Sequence, residues 1–183
     1  MAYVVAVSGI SGAGKSSVIR RTAELLGTSS VLYFDDYAAS STYPPDLKDW
    51  VERGANVDEF QTPQLAADLR SLRESSNEVV LVEEPFGTMR REMAGLIDLA
   101  IYLDVPADVL LARRLMRRIE EQRDSAELVE RLEHDMRHHL AVGRDLDALG
   151  SAELRKAADV VVDATSSVDE IAGRVAAEIR QRR

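Results

Sequence analysis

Apolar residues run without interruption at positions 3–7, 31–34, 79–82, 99–103 and 160–162. A strand that is apolar at every position is covered on both faces, as in a parallel sheet between two helical layers. The intervening stretches carry the helical period instead. Residues 16–26 read as a helix stopped by Gly27. Leu65, Leu69 and Leu72 share one helical face behind Thr62 and Pro63, an N-cap followed by proline at the first helical position. Residues 106–121 align Val109, Ala112, Met116 and Ile119. Asp124 with Glu127 is expected to cap a further helix buried along Val129, Leu132, Met136 and Leu140. Ser167 with Glu170 forms a capping box ahead of Ile171, Val175 and Ile179.

Five strands separated by helices predict an α/β fold with right-handed crossovers and a functional site along the carboxyl ends of the strands. The polar residues that follow the runs fit that placement: Asp35, Asp36 and Tyr37 after the second, Glu83 and Glu84 after the third, then Asp104 and Asp163. One interval has neither period. Residues 37–62 are polar, contain Pro44, Pro45, Gly54 and the sole tryptophan, Trp50, and predict an irregular excursion outside the sheet.

Gly9, Ile10, Ser11, Gly12, Ala13, Gly14, Lys15 and Ser16 directly follow the first strand and open the first helix, matching G-x-x-x-x-G-K-[ST] at every fixed position. Glycines at such a turn allow the backbone N–H groups to point inward, at the positive end of a helix, and form a cradle for phosphate. Lys15 is then expected to reach the β- and γ-phosphates of ATP, and Ser16 to hold Mg²⁺ through its hydroxyl, with Ser17 completing the loop.

Composition narrows the field. At 183 residues the chain suits a single domain over residues 1–183, with 45% hydrophobic and 30% charged residues. It has no cysteine, hence no disulfide or thiolate metal site. No apolar run approaches about 18 residues, and no basic segment precedes the first run, so neither a membrane span nor a signal peptide is expected. The cytoplasm, where ATP is found, is the expected compartment. A net charge of −9 argues against a nucleic-acid surface. Locally, Arg113, Arg114, Arg117, Arg118 and Arg123 face only Glu120 and Glu121, a charge of +3. Like charges four apart on a helix cost about 0.2–0.5 kcal/mol per pair, so an anion should compensate them. The expectation is a lid over about residues 113–127 that closes on a nucleotide, with Arg113 on the phosphates and Arg117 and Arg123 nearest the transferring group. His134, His138 and His139 lack the glutamate of H-E-x-x-H and are read as a solvated face.

Phosphoryl transfer requires a cradle, a metal-side carboxylate, a base and mobile cations. Either Asp35 or Asp36 is placed to take the proton of an acceptor hydroxyl. Glu83, at the end of an apolar strand, is placed to serve Mg²⁺ or orient the substrate. Trp50 either covers the substrate or packs the excursion against the core.

In these motifs the chain resembles the uridine kinase-like branch of the P-loop kinases, which includes nicotinamide riboside kinase and phosphoribulokinase. Residues 9–16 look like the branch's G-x-S-G-x-G-K-[ST], and Phe34-Asp35-Asp36-Tyr37 resembles Q-D-[DS]-F, which implies Asp35 as base and Tyr37 on the substrate side. Val82-Glu83 resembles the start of V-E-G. Leu103-Asp104-Val105-Pro106 followed by Arg113 to Arg117 is similar to the strand-to-lid segment, and residues 158–162 resemble the last strand near the adenine site. The resemblance covers residues 3–165 and implies ATP-dependent transfer to a hydroxyl of a small metabolite, a nucleoside first. A kinase for another hydroxylated metabolite and a nucleotide-driven switch stay open, as does self-association. Two departures concern the acceptor. Glu84 and Pro85 replace the glycine of V-E-G and its successor, and residues 56–60 only loosely match the acceptor-binding stretch, on which Asp58 would contact a ribose.

Overall fold

A computed structural model describes residues 1–28, 30–75 and 78–183. Each apolar run contains a strand: β1 (Tyr3–Ser8), β2 (Val31–Leu32), β3 (Val79–Glu83), β4 (Leu99–Asp104) and β5 (Val160–Asp163). All pair in parallel, in the order β2-β3-β1-β4-β5. The helices are α1 (Lys15–Leu26), α2 (Leu47–Glu52), α3 (Pro63–Ser75), α4 (Arg91–Ala94), α5 (Ala107–Gln122), α6 (Leu128–His138), α7 (Arg144–Ala157) and α8 (Val168–Arg182).

Period-two alternation in the central strand divides the core. Val5 and Val7 of β1 join Leu81 and Ile101 against Val18 and Ile19 of α1 and Ile171, Val175 and Ile179 of α8. Val4 and Ala6 face the other way, with Val80 and Val82, onto Leu65 and Leu69 of α3 and Met93 of α4. Both faces are therefore dry, and the runs could not alternate. Gly27 ends α1 in the left-handed region at φ 70°, and the Ser167–Glu170 capping box opens α8.

The fold corrects several expectations. β2 stops at Leu32 because it is an edge strand paired to β3 alone, and a 3-10 helix over Phe34–Ser40 follows, so Asp35 and Asp36 are not in extended chain. Residues 37–62 are not irregular. They hold α2 and a second 3-10 turn (Val57–Glu59), and a bridge between Thr42 and Gln61 closes them. On α5 the inward residue is Leu110, while Ala112 faces out and Met116 is 55% exposed. The expected stripe on α6 fails in the same way: Val129 is 74% and Leu140 66% exposed, and Glu127 caps the helix without a side-chain bond. Helix α7, for which the pattern gives no signal, packs beside β4 and joins α6 through a π-helical turn at His139–Gly143.

Candidate active site

The carboxyl ends of β1 and β3 meet at the site. Val7 lies opposite Glu83 in the parallel register, so the chain leaves β1 for the glycine loop directly beside that carboxylate. Gly14 has φ 87° and is the N-cap of α1. Gly12 has φ 93°, and a Cβ there would stand 2.9 Å from the carbonyl oxygen of Leu110 and 3.3 Å from Cγ of Arg114. The loop therefore needs glycine for its conformation and for the close passage of α5. Ala13 is buried and spends its N–H on the carbonyl of Ile10 at 2.9 Å.

Lys15 Nζ stands 3.6 Å from Oε1 of Glu83, and the Ser16 hydroxyl donates to Oε2 of the same carboxylate at 2.8 Å. Burial pushes the Lys15 ammonium below its ordinary pKa. Glu83 opposes that shift, Asp35 assists Glu83 more weakly, and Arg117 works against both. These four groups are close enough to share a field.

They line one cleft of about 890 Å³, a size suited to a nucleotide with an acceptor. Its glycine-loop end, where a phosphate donor would be expected, is formed by Gly9, Ser11, Gly12, Gly14, Lys15, Ser16 and Ser17, with Arg113 and Arg117 from α5 and the inner side of α7. Arg113 is steadied by the carbonyl of Ala164 at 3.1 Å. Its other end is apolar and aromatic: Phe34, Leu47, Trp50, Val57, Phe60 and Phe86, with Asp35 and Glu83 at the junction. Trp50 both packs and lines. Its ring stands edge-on to Phe60 at 5.3 Å and its Nε1 donates to the carbonyl of Asn56 at 2.9 Å.

Five expected site residues do not line this cleft, the first being Ala13, which is buried within the glycine loop. Asp36 turns away from the cleft within the 3-10 helix, leaving Asp35 as the carboxylate that faces in. Tyr37 donates its hydroxyl to Asp68 at 2.9 Å, and burial together with that bond pushes its pKa up to about 12. Asp58 accepts from the backbone N–H of Arg91 at 2.8 Å and pairs with its side chain, capping the start of α4 rather than facing the cleft. Arg123 is exposed at the far end of α5.

Sequence reasoning also missed residues. Much of the anion needed by the arginine helix is supplied by the protein: Arg114 pairs with Asp147 of α7 through two bonds, the shorter 2.6 Å, and Arg118 pairs with Asp135 of α6 at 2.9 Å. Arg90 is the second omission. Its guanidinium is buried against Glu84, itself fully buried, and also donates to the carbonyl of Phe60 at 2.6 Å and the hydroxyl of Thr62 at 2.9 Å. Burial pushes the Glu84 carboxyl up and Arg90 pulls it back. The charge that Glu84 brings to the position beside Glu83 is thus cancelled internally.

The donor set suits Mg²⁺. Ser16 directs its proton to Glu83, which leaves the hydroxyl lone pairs free, and both groups offer hard oxygen. Among the described residues no group of three or more His, Cys, Asp or Glu is placed to hold a metal.

A family model described as phosphoribulokinase / uridine kinase matches residues 48–169. That span starts beyond the glycine loop and Asp35, so the two signals are independent. A uridine kinase of Chlamydia pneumoniae is 25% identical over 190 residues, covering 87% of this chain and 80% of the relative. One of Borreliella burgdorferi (strain ZS7) is 26% identical over 157 residues, covering 70% and 73%. Among solved structures, a shikimate kinase from Acinetobacter baumannii in complex with shikimate superposes with a TM-score of 0.58 at 18% identity, over 99% of this chain and 94% of that one. A shikimate kinase from Aquifex aeolicus vf5 gives 0.51 at 18%, over 97% and 96%. At that identity the likeness is one of fold.

Proposed function

The chain belongs to the phosphoribulokinase / uridine kinase family, and on that premise we propose that it transfers the γ-phosphoryl group of ATP to a hydroxyl of a small uncharged metabolite of nucleoside type. The observation that carries this reading is the polarity of the cleft. Its cations, Lys15, Arg113 and Arg117, all lie at the donor end, while the acceptor end offers aromatic rings and two carboxylates. Rings suit a planar base, and Asp35 and Glu83 suit hydroxyl groups. Among the described residues that line the aromatic end, none is a cation that would meet the phosphate of a phosphorylated acceptor.

Lys15 and the loop N–H groups hold the phosphates, and Ser16 with Glu83 would hold Mg²⁺, which when bound supplies charge neutralisation on the phosphates. The acceptor oxygen bonds to the γ-phosphorus as the bond to the bridging oxygen breaks, and ADP leaves. Asp35 takes the hydroxyl proton late in that transfer. Arg117 neutralises charge growing on the phosphoryl oxygens, and Arg113 holds the nucleotide. Trp50 covers the base.

ATP as donor fits the cytoplasm, and among the described residues no helix is long and apolar enough to cross a membrane. The test is ADP release measured with nucleosides, free sugars and sugar phosphates. Turnover with a nucleoside above the background ATPase is expected, and a preference for a sugar phosphate would overturn the acceptor class.

A further inference from the structure

Arg90 is the sole fully buried arginine among the described residues, and it lies behind the acceptor wall rather than in the cleft. Its fork ties two separate segments to the start of α4. Nε and Nη2 engage Glu84 just after β3, and Nη1 holds the carbonyl of Phe60 and the hydroxyl of Thr62 where residues 37–62 return to α3. The guanidinium also lies 5.6 Å from the ring centre of Phe34 and 5.8 Å from that of Phe86. Phe60 meets Phe86 in a tilted contact at 4.8 Å and Trp50 in a T-shaped one at 5.3 Å.

The sequence neighbours of these groups are the chemically placed ones. Phe34 precedes Asp35, and Glu84 follows Glu83. A buried ion pair is seldom the most stable filling of such a space, since apolar residues of equal volume do as well or better, so stability alone gives no reason for it. Its planar fork does set the geometry of four acceptor atoms on three residues at once, which neither lysine nor an apolar side chain can do.

We propose that Arg90 and Glu84 are positioning residues for the acceptor: the pair fixes the aromatic wall and, through Phe34 and Glu84, the relative placement of the Asp35 and Glu83 carboxylates. It therefore governs acceptor binding and alignment and leaves the donor end alone. The proposal rests on the acceptor reading above for its kinetic consequence, while the arrangement of the wall has a readout of its own. Trp50 is the sole tryptophan of the chain and reports the packing of Phe60 directly.

Two variants test it. Glu84→Leu with Arg90→Met removes the pair together and leaves no unpaired buried charge; Arg90→Lys keeps the charge balance and loses the fork. In both, KM for the acceptor is expected to rise about tenfold or more with a fall in kcat, since small misplacements near the reacting atoms are costly, while KM for ATP stays within about twofold. Trp50 emission is expected to shift to the red. Unchanged acceptor kinetics and unchanged emission, or a lowered Tm with every kinetic constant preserved, would reduce the pair to a structural brace and overturn the proposal. Should the wild-type protein turn over no acceptor, the proposed function fails, and Trp50 emission in the two variants still decides the positioning claim.

Discussion

The Ser16 hydroxyl and the Glu83 carboxylate are hydrogen-bonded at 2.8 Å, joining the first turn of α1 to the end of β3. Because the proton goes to Glu83, the serine lone pairs are left free, as the proposed role of Ser16 in holding Mg²⁺ requires. Ser16→Ala should therefore cost about 10²-fold in kcat, the scale of losing one preorganised electrostatic contact, and raise the Mg²⁺ concentration needed for half-maximal rate. Steady-state rates across a Mg²⁺ titration check it, and an unchanged Mg²⁺ dependence would remove Ser16 from the metal site.

Asp35 and Asp36 are neighbours with opposite outlooks, because only the first lines the cleft. Asp35→Asn is expected to lower kcat by about 10²–10⁴-fold, the range of general-base contributions, with ATP binding kept. Asp36→Asn should stay within about twofold of wild type, as an exposed substitution away from the reacting groups. Reversed results would reassign the base.

The arginines of α5 and its C-terminal end are expected to separate by kinetic constant. Arg113→Ala should raise KM for ATP and Arg117→Ala should lower kcat, whereas Arg123→Ala, exposed beyond the cleft, should change neither. Initial rates over an ATP titration distinguish the three.

Gly12→Ala should weaken ATP binding and destabilise the chain by about 1–3 kcal/mol, because a left-handed φ is strained for alanine and its Cβ would press on backbone of α5. Chemical denaturation and nucleotide titration measure the two effects.

Tyr37 gives a pH test. Its folded pKa of about 12 lies above the ordinary 10.0, so its stabilising contribution is complete below pH 10 and is lost as pH rises toward 12. Tyr37→Phe should make stability fall less steeply over that window in alkaline denaturation curves. Because Tyr37 is turned to Asp68, the acceptor KM should not move.

The sheet and the glycine loop were legible because both follow from local rules: dry strands are continuously apolar, and the cradle needs glycine, lysine and serine at fixed spacing. The faces of α5 and α6 were not. The period assumes that apolar residues turn inward, yet on α5 the half-buried positions include Arg113 and Arg114, which reach Ala164 and Asp147. Residues 37–62 read as irregular because their order comes from tertiary contacts such as Trp50 on Phe60, which no local propensity encodes. Arg90 gave no signal for a similar reason. Its partner Glu84 is six positions away across a turn that carries no periodicity.

The strand order also bears on how the chain is made. β1 is buried on both faces and central, yet it leaves the ribosome before both of its neighbours, which begin at Val79 and Leu99. At typical synthesis rates about 4–15 s pass before β3 follows, during which an apolar strand has no partner on either edge. Until β3 follows, the nascent segment is therefore exposed to aggregation, a hazard that a chaperone would be expected to limit.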